Sequence, residues 1–235
     1  MVSVIGRGAY SIPQASRLLR LNPTMRDLVT PAGIRRWAYG YHRRGTSYKS
    51  AIPSEQFSRH TGTLSFLELV EVMFIASSLA SGLTWPKVRE AAQVAAKVLA
   101  NEPHPFAHRK WFADPAGLYL KLGTESGEEI LLEMAGDAQI AMEDLLKVYL
   151  KQIRFNHVSG LADGWFPLGP DVPVMVDPLY SFGLPTVNTG VRTDILAGHY
   201  RGGDPVEQIA FWYAVPEHEV EAAIEFEEKL QPLAA

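Results

Sequence analysis

Residues 30–45, TPAGIRRWAYGYHRRG, hold four arginines, a tryptophan and two tyrosines within one short stretch. An arginine fork matches the O6/N7 edge of guanine and clamps phosphate oxygens in the same bidentate manner, whereas lysine acts as a point charge. Arg35 and Arg36 are therefore placed for base edges or phosphates. Arg43, Arg44 and Lys49, a few residues on, are placed to track a phosphate backbone. Tyr39 adds a hydroxyl donor, and Arg17 and Arg20 lie just upstream. Together these eight residues are the candidate DNA-binding set. Trp37 falls in step with Ile34 and is read as a core residue.

Other chemistry finds less support. The chain has no cysteine, which excludes a disulfide framework, thiolate metal ligation and a cysteine nucleophile. His104 and His108 stand four apart, but Pro103 and Pro105 oppose the regular helix that would align them on a metal. Asp137 and Asp144 share a helical segment and are read as solvent-facing rather than as a general acid/base pair. No glycine-rich phosphate loop and no nucleophile elbow occurs. The expectation is a protein that is not an enzyme and that uses no cofactor and no metal.

Charge singles out one end of the chain. Residues 1–60 carry ten Lys and Arg against two acids, a balance of +8, while the remainder balances at −12. A basic head on an acidic body suits a polyanion partner at the head alone. The length of 235 residues fits one large domain or two small ones. The N-terminus lacks the apolar run of a signal peptide, and residues 209–215, IAFWYAV, are too short to span a bilayer. A cytoplasmic protein with no membrane partner is expected.

The elements that must position these groups are legible from caps and periodicity. Ser11 and Gln14 form a capping box ahead of Ile12, Ala15, Leu18 and Leu19, which fall on one helical face. Thr30 and Pro31 start a second helix that Gly40 ends, with Ile34, Trp37 and Ala38 inward and Arg35 and Arg36 outward. Residues 41–63 alternate weakly, as a hairpin with an exposed tip would. Ser65 and Glu68 form another capping box, opening a helix to about residue 80 that is apolar almost all round, interrupted by Glu68 and Glu71. Gly82 breaks it, and Thr84 starts the next. Short strands are expected over 111–123, a helix over 137–150 and a hairpin over 153–169. A strand at 173–178 then leads to a short helix at Ile195–Tyr200, a helix from Asp204-Pro205-Val206-Glu207 to about Tyr213, and a last helix over 217–229.

The segments YSIPQASRLL and VTPAGIRRWAYGY resemble the winged helix-turn-helix of the MerR-like class, and residues 64–91 are similar to that class's next helix pair. Where that class has a tight turn, this chain carries the extra residues NPTMRDL (22–28). Residues 173–227, with Val-Asp-Pro, Gly-Leu-Pro-Thr-Val-Asn-Thr-Gly-Val-Arg and Val-Glu-Gln-Ile-Ala, resemble the antitoxin family catalogued as domain of unknown function four-three-three. That resemblance implies a VapB-type antitoxin that neutralises a PIN-like ribonuclease toxin and binds operator DNA to repress its own operon.

The final helix carries six glutamates against Lys229, so it is ill suited to phosphates and better suited to dimerisation or toxin contact. Arg192 and Arg201 are candidate toxin-binding residues, since an arginine can pair with the clustered acids of such a nuclease. Paired half-sites require two recognition helices, so a homodimer is expected. The rival reading is a MerR-like transcriptional regulator responding to a small ligand among the aromatics Phe106, Trp111, Phe112, Tyr119, Trp165 and Phe166. The expected fold is mainly α with small β-hairpins (α+β). It comprises a winged helix-turn-helix head over 1–100, an α+β connecting region over 101–170, and a three-helix helix-turn-helix-like module over 171–235.

Overall fold

The capping box at Ser11 forms: the Ser11 amide donates to Gln14 Oε1 (2.9 Å) and the Gln14 amide to Ser11 Oγ (3.3 Å). These bonds satisfy two orphan donors at the start of α1 (Ile12–Leu19), whose inward face is Ile12, Ala15, Leu18 and Leu19. The structure is a computed structural model that describes residues 7–43, 46–48, 62–80, 82–86, 88, 103–109 and 151–233, with the backbone alone at 41–43 and 46–48. The strands and helix expected over 111–123 and 137–150 lie outside the described residues, as does the 49–61 stretch.

Just before α1, β1 (Tyr10–Ser11) pairs antiparallel with β4 (Thr63–Leu64), which leads into α3 (Phe66–Ala80). Between them come α2 (Pro31–Tyr39) and the antiparallel hairpin of β2 (Tyr41–Arg43) and β3 (Thr46–Tyr48). A second capping box opens α3: the Ser65 amide donates to Glu68 Oε2 (2.7 Å) and the Glu68 amide to Ser65 Oγ (3.2 Å). Helix α3 is buried on every side over most of its length, as its all-round apolar sequence predicts. Gly82, at φ +90°, ends that run in a conformation that favours glycine.

Glu68 and Glu71 do not break the burial of α3; both are wholly buried with it. The reason for Glu71 lies across the chain. Residues 103–109 cross α3, Phe106 stacking on Phe74 with centroids 4.4 Å apart, and His104 Nδ1 lies 3.0 Å from Glu71 Oε2. A buried carboxylate is tolerated where a hydrogen-bonding, chargeable partner is buried beside it.

The C-terminal part adds the expected hairpin of β5 (Ile153–Phe155) and β6 (Ala162–Trp165), then β7 (Val174–Met175) paired with β8 (Thr186–Val187). Three helices follow: α4 (Thr193–Arg201), α5 (Val206–Tyr213) and α6 (Glu217–Leu230). Ala214 makes the tight turn between the last two at φ 52°. Two details differ from expectation. Helix α4 starts earlier and ends later than 195–200, and Asp204 does not cap α5. Its carboxylate is held by His199 Nδ1 at 2.9 Å, and Pro205 stands at the N-cap instead.

The fold is thus α+β, helices with small two-stranded antiparallel sheets. One core runs through α1, α2, α3, the 103–109 turn, the β5–β6 hairpin and β7, and Ala222, Phe226 and Leu230 of α6 complete it. Val220 and Ala223, also on α6, pack instead with α4, α5 and β8. No described helix is long and apolar enough to cross a membrane.

Burial raises the Glu71 carboxyl above its ordinary value of 4.5, with His104 working in the opposite direction. Stability from this group is therefore fully present below pH 4.5 and lost as pH rises through the raised folded value. Glu71→Gln should flatten that decline in urea melts taken across pH. His104→Ala, which leaves the buried Glu71 carboxyl without its imidazole partner, should cost about 1–3 kcal/mol in the same melts.

Candidate nucleic-acid interface

Helix α2 is two-faced. Gly33, Ile34, Trp37 and Ala38 are buried, so Pro31, Ala32, Arg35 and Arg36 are turned to solvent. Both arginines of the pair are exposed on one short helix whose other side is fixed in the core. Trp37 joins that core near Trp85, with ring centroids 6.0 Å apart. Thr30 starts the helix by accepting from the Gly33 amide (3.1 Å), and Gly40, at φ 70°, ends it by donating to the Arg36 carbonyl.

The extra residues before α2 are not a loose insertion. Residues Pro23–Met25 form a 3₁₀ turn capped by Asn22, whose side chain accepts from the Thr24 amide. Met25 drives this turn into the core against Ser77 of α3, and the buried Ser16 hydroxyl donates to the Val29 carbonyl at 2.6 Å. The segment between α1 and α2 is thereby tied to both α1 and α3. Sequence periodicity missed this, because one buried methionine in a polar run gives no repeating signal.

The other candidate residues are placed more variously. Arg17 is half-buried and lines two clefts. One, of about 370 Å³, lies beside Arg20, Pro31 and Leu233; the other, of about 140 Å³, faces Arg192, Asp194 and Glu227. Arg20 is half-buried, and its Nη1 donates to the Leu233 carbonyl (3.4 Å), so the last described turn rests on α1. The Tyr39 hydroxyl donates to the Thr63 carbonyl at 3.0 Å. Burial raises its pKa, with Glu68 adding to the rise and Arg35 opposing it. Tyr39 thus ties the end of α2 to β4. The Arg43 backbone pairs with Thr46, while its side chain, Arg44 and Lys49 lie outside the described residues.

Electrostatically the head is one-sided. Residues 7–40 hold six arginines and a single acid, Asp27. On the C-terminal side, Arg192 forks onto the Asp194 carboxylate, with Nε 2.9 Å from Oδ1. That pairing raises the Arg192 pKa. Arg201 is exposed, its Nε donating to the Ala197 carbonyl (3.1 Å). The acids of α6 are divided. Glu219 is buried and accepts from the Thr189 amide and hydroxyl, and Glu227 accepts from Thr193 Oγ1 at 2.6 Å. Glu217, Glu221, Glu225 and Glu228 face solvent.

Of the aromatics that could have enclosed a small ligand, Phe106 and Trp165 are buried in the core and Phe166 is half-buried. Trp111, Phe112 and Tyr119 lie outside the described residues. No cluster of metal-ligating side chains occurs among the described residues.

The fold is similar to that of Rv2018 from Mycobacterium tuberculosis, known from an X-ray crystal structure. The two share 21% sequence identity at a TM-score of 0.62, over 92% of this chain and 96% of that one. At that identity the likeness concerns the fold. No family model matches the chain, and no curated protein matches it.

Gly33 sets how closely the 22–30 segment can approach α2. A Cβ there would meet the Leu28 carbonyl at 2.8 Å and Thr30 Oγ1 at 3.1 Å. Gly33→Ala should therefore destabilise the protein by about 1–3 kcal/mol, despite alanine's better helix propensity, and thermal unfolding will read the sign.

Proposed function

We propose that the protein is a homodimeric DNA-binding antitoxin, whose basic head binds operator DNA and whose C-terminal module dimerises or engages a PIN-like ribonuclease toxin. The observation that carries the DNA reading is the exposed Arg35–Arg36 pair on α2, a helix rigidly seated by Ile34, Trp37 and the pinned 22–30 segment. In a helix-turn-helix of the winged type, α2 is the recognition helix and the β2–β3 hairpin the wing. The order α1, α2, hairpin supports that assignment. Arg17, beside the start of α2, is positioned for a flanking phosphate.

The charge balance supports the same orientation. With Glu219 and Glu227 of α6 bonded internally, the excess of positive charge in residues 1–60 favours a polyanion at the head. The antitoxin part of the reading rests on the resemblance of residues 173–227 and on the large apolar side chains that the C-terminal module leaves uncovered. Repression of the operon follows if the operator overlaps the promoter.

Operator fragments from the chain's own upstream region, titrated by fluorescence anisotropy at several salt concentrations, test the DNA reading. Affinity should fall steeply with salt, and Arg35→Ala combined with Arg36→Ala should weaken binding at least about tenfold while shallowing the salt slope by up to about two. Unchanged affinity in the double variant sinks the assignment of α2. Where the adjacent reading frame encodes a PIN-like ribonuclease, co-expression should yield a complex in which RNA cleavage is silenced, and a frame that encodes none removes the antitoxin reading.

A further inference from the structure

The outer face of the C-terminal module carries large apolar side chains in the open: Phe211 is 84% exposed, Trp212 49% and Ile195 38%. Two of them are contiguous through His199, which follows Ile195 by one turn of α4 and meets Trp212 edge-on with centroids 5.6 Å apart. Exposed apolar side chains grouped in this way, rather than scattered singly, mark a surface that another molecule covers.

The same face of α4 has an ordered charge pattern. Asp194, Gly198 and Arg201 stand at i, i+4 and i+7, on one stripe beside Ile195, and all three are exposed. An acid thus lies one turn before Gly198 and a base one turn after it. Gly198 has no internal reason to be glycine: it sits in a regular helix, and a Cβ there would meet nothing within 4 Å. A glycine inside an exposed helix weakens that helix, and here no contact within the chain requires one.

We infer that this face is a self-complementary interface, occupied by a second copy of the chain, with the two α4 helices antiparallel across a dyad at Gly198. In that arrangement the flipped helix brings its Arg201 beside Asp194 and its Asp194 beside Arg201, on the same side of the contact. Ile195 and Trp212 are covered on the other side. Glycine at the crossing lets the backbones approach closely. Arg192 already orients the Asp194 carboxylate, leaving it presented on the rim. A partner of a single charge sign would oppose either Asp194 or Arg201, whereas a two-fold copy satisfies both. Isologous pairing of this kind matches each residue with its reciprocal, and opposed charges fix the register.

The inference rests on the dimeric reading proposed above and names its surface. Multi-angle light scattering and sedimentation velocity on the full chain, without DNA, test it. The wild type should be a dimer, and Gly198→Leu should be monomeric with its helix content by circular dichroism unchanged, because the site is open within one copy. Asp194→Arg and Arg201→Asp should each weaken dimerisation at least about tenfold, and the two together should restore it, because the swap preserves complementarity. A monomeric wild type overturns both the dimer and this surface. A wild-type dimer untouched by Gly198→Leu overturns the surface alone. Loss of ribonuclease binding with the dimer intact overturns it too, giving the face to the toxin.

Discussion

Tyr10 fastens the start of the described chain to its C-terminal part. Its side chain is wholly buried, and its hydroxyl donates to the carbonyl of Gly183, far along the sequence, at 2.8 Å. Glycines close the slot around it. A Cβ on Gly183 would fall 2.2 Å from the Tyr10 hydroxyl, and one on Gly8 would lie 3.0 Å from the ring. Burial, then the nearby charge of Asp177, pushes the Tyr10 pKa well up, so the phenol stays a donor throughout the physiological range. The backbone responds to this slot: Ser181, Phe182 and Gly183 all take positive φ. A left-handed phenylalanine costs about 1–3 kcal/mol, and it persists where the surroundings over-determine it. Here the Ala9 amide donates to the Phe182 carbonyl and the Leu179 amide to Asp177, while Arg154 holds Asp177 from the far side at 2.7 Å.

That fastening explains why the head and the C-terminal helices share a core. Because β1 is held at residues 182–183, α1 is brought against α6, and Ala222, Phe226 and Leu230 fill the space beside Leu18. The Leu233 carbonyl then accepts from Arg20. The price of this packing is borne by part of the candidate surface: Arg20 bonds the last turn and Tyr39 bonds Thr63, which leaves Arg35 and Arg36 as the described side chains of that set most open to a ligand. Their exposure and the burial of Trp37 are two faces of one short helix.

Much of this was legible beforehand because it is local. Capping boxes at Ser11 and Ser65, the Thr30–Pro31 start and the Gly40 stop each depend on residues within four positions, and the helices form where they predict. The outward Arg35 and Arg36 and inward Ile34 and Trp37 follow from helical periodicity alone. What was misread is non-local. Glu71 interrupts the apolar run of α3, and its burial is explained only when His104 and Phe106 arrive from another part of the chain. Asp204 has the spacing of an N-cap, but His199, on the preceding helix, takes its carboxylate. Met25 sits in a polar insertion and is buried because α3 offers it a place.

The amino-acid sequence by itself determined the caps, the two-faced helix that presents Arg35 and Arg36, the basic head and acidic body, and the α+β class. Each is a matter of neighbours along the chain or of summed charge, and needs no knowledge of what folds against what. Only the tertiary structure decided which polar groups are buried, which arginines are already engaged, and which apolar side chains stay uncovered. Those outcomes turn on contacts between segments distant in sequence, where a hydrogen bond such as that of Tyr10 to Gly183 is formed or lost by the packing of the whole.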